Sequence, residues 1–251
     1  MDDEVFRIKE FNIQNIEPSS SWIILGPPGS GKSTFVEELI KYNKHKYPVC
    51  RVVCSVPGPN QRYCSIFPSI FVHSTFDKAK ESEFIEKRQK VLANNQDIGK
   101  FCVYVLDDID IHKKQFSDPF FAALFKQGSR HWCMLTIMVN QYALEFPPEV
   151  RSASSYVVIF RYTSNTDRNK IYNNYGGSAI FKNEKIFNFM MDNLTGNHNC
   201  MILKQRSDSN ELSDSLFYYR TSAPVPWKFG SNEIWQWNKK RCSKKKKYMF
   251  V

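Results

Sequence analysis

Residues Gly26-Pro27-Pro28-Gly29-Ser30-Gly31-Lys32-Ser33 satisfy the pattern G-x-x-x-x-G-K-[ST] at every fixed position. Their flanks suit a strand–loop–helix unit. Trp22-Ile23-Ile24-Leu25 precedes them as a buried apolar run, and Thr34-Phe35-Val36-Glu37-Glu38-Leu39-Ile40 follows with helical character. Such a loop wraps because its glycines tolerate backbone angles that other residues avoid, so successive N–H groups turn inward toward phosphate oxygens. The N-terminus of the following helix adds its dipole. The expected phosphate-binding residues are therefore Gly26, Pro27, Pro28, Gly29, Ser30, Gly31, Lys32, Ser33 and Thr34. Lys32 reaches the outer phosphates of ATP, and Ser33 offers its hydroxyl to Mg²⁺.

The rest of the chain must supply a sheet around that loop. The sequence predicts further strands at Cys50–Ser55, Phe101–Leu106, Trp132–Val139 and Tyr156–Phe160, with β-like pieces at Cys200–Leu203 and Leu216–Tyr219. Helical stretches fall at Asp77–Asn95, Asp118–Phe125, Asp167–Tyr175 and Glu184–Leu194. Pro57-Gly58-Pro59-Asn60 reads as the end of a strand, with a loop-like aromatic stretch running on to Ser74. Strands alternating with helices imply a mostly parallel central sheet covered by helices on both faces; with the phosphate loop, this α/β arrangement resembles the RecA-like (ASCE) P-loop NTPases. The expected divisions are a lead-in over 1–20, a P-loop domain over 21–220 and a basic tail over 221–251.

A phosphate loop needs a metal-organising carboxylate at the end of a neighbouring strand. Val103-Tyr104-Val105-Leu106-Asp107-Asp108 provides one, an apolar strand ending in acid. Asp107 is the candidate Mg²⁺ ligand and Asp108 the candidate base for an attacking water. Gln141 follows the next apolar strand and is the candidate γ-phosphate sensor. Arg130 and Arg151 are candidates for a transition-state arginine donated to a neighbouring subunit.

The net charge is +10, but Lys239-Lys240-Arg241 and Lys244-Lys245-Lys246-Lys247 hold seven of the positive charges, leaving a body of about +3. The tail reads as a phosphate clamp, a localisation signal or a solubilising end. The tryptophans near it, Trp227, Trp235 and Trp237, either stack on nucleic acid or pack the segment onto the core. Seven scattered cysteines form no disulfide framework and suit a reducing compartment. Cys50, Cys54, Cys64 and His73 match no common zinc spacing. No apolar run approaches the ~18–20 residues of a membrane span, and Met1-Asp2-Asp3-Glu4 is acidic where a leader would be basic. The expectation is a protein not integral to the membrane.

Taken in order, these motifs resemble the genome-packaging ATPases of large nucleocytoplasmic DNA viruses, the poxvirus-type branch of the FtsK–HerA superfamily. The resemblance spans roughly residues 20–175. It is carried by Ile24–Ser33, Val105–Asp108, Leu124-Phe125-Lys126-Gln127-Gly128-Ser129-Arg130-His131, Thr136–Gln141 and Phe146-Pro147-Pro148-Glu149-Val150-Arg151. The family usually has Gly directly before the Arg-His pair, whereas Ser129 stands there in this chain. The resemblance implies ATP hydrolysis, ring oligomers (commonly hexamers), translocation of double-stranded DNA and docking to a viral capsid or membrane protein at the packaging site. It also implies residence in the host cytoplasm at the viral factory and in the virion. It makes Arg130 the better trans-acting arginine and Gln141 the sensor. His112-Lys113-Lys114-Gln115 is a candidate pore loop. Other P-loop motors such as helicases, nucleotide kinases, and a DNA-binding virion component with a purely structural nucleotide site remain as alternatives.

Overall fold

Period-two alternation in the strands decides how the chain layers. The computed structural model describes residues 7–95, 99–142, 146–175, 177–207, 211–223 and 225–248, with side chains of the last helix described up to Arg241. In chain order the first half runs β1 (Lys9–Glu10), β2 (Ser21–Leu25), α1 (Lys32–Asn43), β3 (Val49–Cys54), α2 (Pro57–Ile66), β4 (Val72–His73), α3 (Lys78–Asn94), β5 (Cys102–Asp107), α4 (Pro119–Lys126) and β6 (Met134–Asn140). The second half runs α5 (Pro148–Ala153), β7 (Tyr156–Ile159), α6 (Asn165–Asn174), α7 (Gly177–Ile180), α8 (Glu184–Leu194), β8 (Cys200–Lys204), α9 (Leu212–Ser215), β9 (Leu216–Tyr219) and α10 (Asn232–Tyr248).

The strands form one sheet in the order β1-β9-β8-β7-β2-β6-β5-β3-β4. All pairings are parallel except β7 with β8 and β8 with β9. Ile23, Leu25, Tyr104, Leu106 and Met138 face one core with α4, α5 and α8. Trp22, Ile24, Val103, Val105 and Ile137 face the other with α1 and α2. Both faces are covered, so the central strands β2, β5 and β6 are buried along their whole length. The mostly parallel α/β sheet expected from the sequence is the one that forms.

Helix starts follow local chemistry. The Asp77 carboxylate accepts from the N–H groups of Ala79 and Lys80 at the head of α3, and Asp118 accepts from Phe120 N–H at the head of α4. One expectation fails here. Pro57-Gly58-Pro59-Asn60 opens the helix α2 rather than a loop. Both prolines lie in its first turn, where a missing N–H costs nothing because no carbonyl precedes it to accept. The His112–Gln115 stretch is a tight 3₁₀ turn (Lys113–Ser117), with His112 N–H donating to Gln115 Oε1 at 2.6 Å.

Both ends of the described stretch join the body. β1 pairs with β9, and Ile13 and Ile16 are core residues. At the other end Phe229 N–H donates to the Ile66 carbonyl, and Phe67 packs against Trp227 and Phe229. The buried Asn238 of α10 accepts from Ile70 N–H and bonds to Ser69. Met1–Glu4 lie outside the described residues, as do the side chains of Lys244–Lys247. Among the described residues no helix is long and apolar enough to cross a membrane.

Candidate active site

The loop between β2 and α1 has the shape its sequence requires. Gly29 (φ 73°) and Gly31 (φ 112°) sit in the left-handed region that glycine tolerates. A side chain at Gly31 would also crowd Phe160 and His198. The Lys32 ammonium lies over the loop and donates to the carbonyls of Gly26 (2.7 Å) and Pro27 (2.9 Å). Ser30 Oγ is buried with no hydrogen-bond partner among the described residues. Gly29 to Thr34 form one wall of a cavity of about 470 Å³, and Arg62, Asn197, His198, Thr221 and Ser222 line the rest. That size lies in the range of small-molecule sites.

The acidic pair approaches from the other side. β6 lies between β2 and β5, with Leu25 opposite Asn140 and Val139 opposite Asp107. Two strand spacings of about 4.8 Å separate the loop strand from the acid strand. Asp107 is 2% exposed and accepts a 2.7 Å hydrogen bond from the Tyr63 hydroxyl. Burial pushes its carboxyl up to about 6; neighbouring Asp108 adds to the rise, while Tyr63 and Lys32 oppose it. At Asp108 the backbone turns left-handed (φ 42°), ending the strand. Gln141 Nε2 donates to Asp108 Oδ2 at 2.7 Å, and Tyr162 holds the Gln141 carbonyl at 2.8 Å. Burial lowers the Lys32 pKa, and the charges of Asp108 and Asp107 raise it in return. Lys32, Asp107, Asp108 and Gln141 therefore share one electrostatic neighbourhood, and Asp108 and Gln141 line a second cavity of about 430 Å³.

The sequence reading missed Arg62 and Tyr63. They sit on α2, the helix read as loop, and nothing in their spacing connects them to Thr34 or Asp107. Tyr63 is fully enclosed and its phenol is pushed well above its ordinary value by burial, so it remains a hydrogen-bond donor. A Tyr63→Phe variant leaves one Asp107 oxygen without that donor. The Asp107 carboxyl then rises further, so the acidic limb of any metal-dependent activity moves to higher pH. Metal affinity is expected to fall by about 10-fold. A pH profile and a Mg²⁺ titration check both, and unchanged values would remove Tyr63 from the site.

The two candidate arginines differ in their surroundings. Arg151 is engaged within its own chain, donating to the Phe146 carbonyl (2.6 Å) and Asn174 Oδ1 (3.0 Å) with its guanidinium 5.6 Å from the Tyr175 ring. Arg130 is exposed in the turn before β6, at the opposite end of that strand from Gln141. Gly128 in this turn is sterically required, because a side chain there would strike the Leu124 carbonyl; Ser129 is half-buried beside it.

Mg²⁺ in a site of this kind takes oxygen ligands and keeps several waters, so few protein donors are needed. Among the described residues no group of three or more His, Cys, Asp and Glu side chains is placed to hold a metal. The Ser33 hydroxyl and the Asp107 carboxylate are hard oxygen donors of the right kind, and phosphate oxygens would complete the set. Cys50 and Cys54 are buried, and burial pushes the Cys54 thiol up to about 12, which does not favour a thiolate ligand.

No protein-family model matches the chain. It is 31% identical over 256 residues to Uncharacterized protein 075L of Invertebrate iridescent virus 6, covering 97% of this chain and 98% of that protein. Identity to Uncharacterized protein 015R of Frog virus 3 (isolate Goorha) is 29% over 251 residues, covering 94% and 75% respectively. In fold it is similar to the genome packaging NTPase B204 from Sulfolobus turreted icosahedral virus 2. The sulfate complex of B204 matches with TM-score 0.60 and 13% identity, covering 84% of this chain and 100% of that one. Its ATP-gammaS complex matches with TM-score 0.57 and 12% identity, covering 83% and 100%. At such identities the likeness is one of fold alone. The chain belongs to the same protein family as 075L of Invertebrate iridescent virus 6.

Proposed function

We propose that this protein is a Mg²⁺-dependent ATP hydrolase that works as a ring-shaped motor translocating double-stranded DNA into a viral capsid. The observation that carries the reading is the convergence of Lys32, Asp107, Asp108 and Gln141 at adjacent strand ends. In this reading the phosphate loop and Lys32 bind the triphosphate, and Ser33 and Asp107 hold the cation, which supplies charge neutralisation when bound. Asp108 takes the proton of the attacking water as the water oxygen bonds to the γ-phosphorus. The bond to the bridging oxygen breaks and ADP keeps that electron pair. Gln141 orients Asp108 through its amide. The packaging role is supported by the motif order, by the viral source of the relatives and by the fold shared with B204.

A partner of negative charge is supported by α10. Lys239, Lys240 and Arg241 are exposed there, and Trp237 is 45% exposed with the Arg241 guanidinium 5.0 Å from its ring. The sequence continues with Lys244–Lys247. Contacts of this kind read phosphates rather than bases, so binding is expected to be tolerant of sequence and sensitive to salt. Duplex binding measured by fluorescence anisotropy at several salt concentrations tests it. The triple variant Lys239→Gln/Lys240→Gln/Arg241→Gln should flatten the slope of log K against log salt by about 2–3. An unchanged slope would place the DNA surface elsewhere. ATP turnover that rises with added duplex, together with duplex movement lacking strand separation, tests the motor reading against a helicase.

A further inference from the structure

The cavity beside the phosphate loop has a second cation in its wall. Of the residues lining it, Lys32 and Arg62 carry full positive charge and none is acidic. Arg62 comes from α2, and its guanidinium meets Glu37 of α1 in a two-pronged contact. Nε pairs with Glu37 Oε1, and a terminal nitrogen donates to Glu37 Oε2 at 2.8 Å. That same terminal nitrogen lies 3.5 Å from the Thr34 hydroxyl, in the first turn of α1. Glu37 stands one helical turn beyond Ser33. Its side chain is 9% exposed, against 37% for Arg62. The carboxylate is thus largely enclosed, while the partly exposed Arg62 borders both this cavity and a neighbouring one that Glu37, Ile66 and Trp227 also line.

We propose that Arg62 is a phosphate ligand of the nucleotide, acting within its own subunit, and that Glu37 is the residue that positions it. The inference rests on the nucleotide reading above. A guanidinium has five N–H donors in a planar fork. Nε–H and one terminal nitrogen face Glu37 and the Thr34 hydroxyl, which leaves the two N–H groups of the other terminal nitrogen for phosphate oxygens. Charge balance points the same way. The loop brings only Lys32, while Asp107 and Asp108 oppose a triphosphate from the adjoining side, so a further fixed cation offsets that repulsion. A plain ion pair joining α1 to α2 would explain the Glu37 contact. It would not explain why Arg62 borders the same cavity as Gly31 and Ser33 and reaches the Thr34 hydroxyl. The next residue, Tyr63, holds Asp107, so two consecutive positions of α2 serve the phosphate side and the metal side of one site.

Titration of the full-length protein with mant-ATP tests the proposal. Arg62→Ala strands a buried carboxylate and endangers the fold. The informative variant is therefore Glu37→Gln/Arg62→Gln, which removes both charges, with circular dichroism confirming that it folds. Its affinity for mant-ATP is expected to fall about 10- to 100-fold, while Arg62→Lys keeps part of the binding. Glu37→Gln alone should weaken binding by a few-fold, because the fork loses its orienting partner. A folded double variant that binds within two-fold of the parent, when Lys32→Ala does not bind, overturns the role of Arg62 and leaves the phosphate loop standing. A parent that does not bind mant-ATP overturns both.

Discussion

Asp108→Asn is expected to abolish turnover while leaving nucleotide binding intact. Asparagine retains an oxygen that accepts the hydrogen bond from Gln141 Nε2, so the local geometry persists. It cannot take a proton from water. Loss of a positioned base costs typically 10²–10⁴ in rate, so phosphate release should fall by about 10³-fold. Binding should hold or tighten slightly, because one carboxylate that repels the triphosphate is gone. The Lys32 ammonium loses the larger of the two charges that raise its pKa, yet keeps Asp107. Phosphate release and mant-ATP binding measured side by side decide the matter. Turnover within ten-fold of the parent would mean that Asp108 is not the base.

Arg130→Ala is expected to lower kcat by about 10³-fold or more, as for other arginines that reach a transition state from a neighbouring subunit. Its position excludes action on its own site. The seven residues of β6, at about 3.3 Å each, set it roughly 20 Å from the strand end that bears Gln141. The turn that presents it is rigid. His131 and Trp132 N–H groups both donate to the Gln127 carbonyl (2.7 and 3.0 Å). Arg88 of α3 clamps the carbonyls of Trp132 and Lys100. A held but unengaged arginine at the surface suits donation to a neighbour. Mixing equal amounts of Arg130→Ala and Asp108→Asn chains makes the stronger test. In a randomly mixed ring about a quarter of the seams combine an intact base with an intact arginine, so part of the activity should return. No recovery, in rings shown to contain both chains, would rule out a shared site. Arg151 is a poor alternative, since its guanidinium is occupied by Phe146, Asn174 and Tyr175.

Much of this arrangement was legible beforehand. The fixed positions of the phosphate loop demand particular backbone angles, and Gly29 and Gly31 adopt them. Apolar runs ending in polar residues marked β5 and β6, because strands buried on both faces are predominantly apolar until they emerge; within β6 the buried Thr136 is the exception. α2 is hidden in the sequence because Pro57, Gly58 and Pro59 have the composition of a chain break, although a first helical turn accommodates proline. Arg62 and Tyr63 were lost along with it. Their partners lie 25 to 44 positions away in the chain, a separation that leaves no periodic trace.

What the sequence determined on its own was local: which loop wraps, which runs are strands, and which acids and amides end them. Each of these follows from the geometry of a few consecutive residues. The tertiary structure alone decided that β6 inserts between β2 and β5, which brings Gln141 to Asp108. It also decided that α2 lies across the loop helix and the acid strand, and that the C-terminal segment docks on the chain just beyond α2. Those choices depend on which apolar faces bury one another, a sum over distant residues that no short stretch of chain encodes.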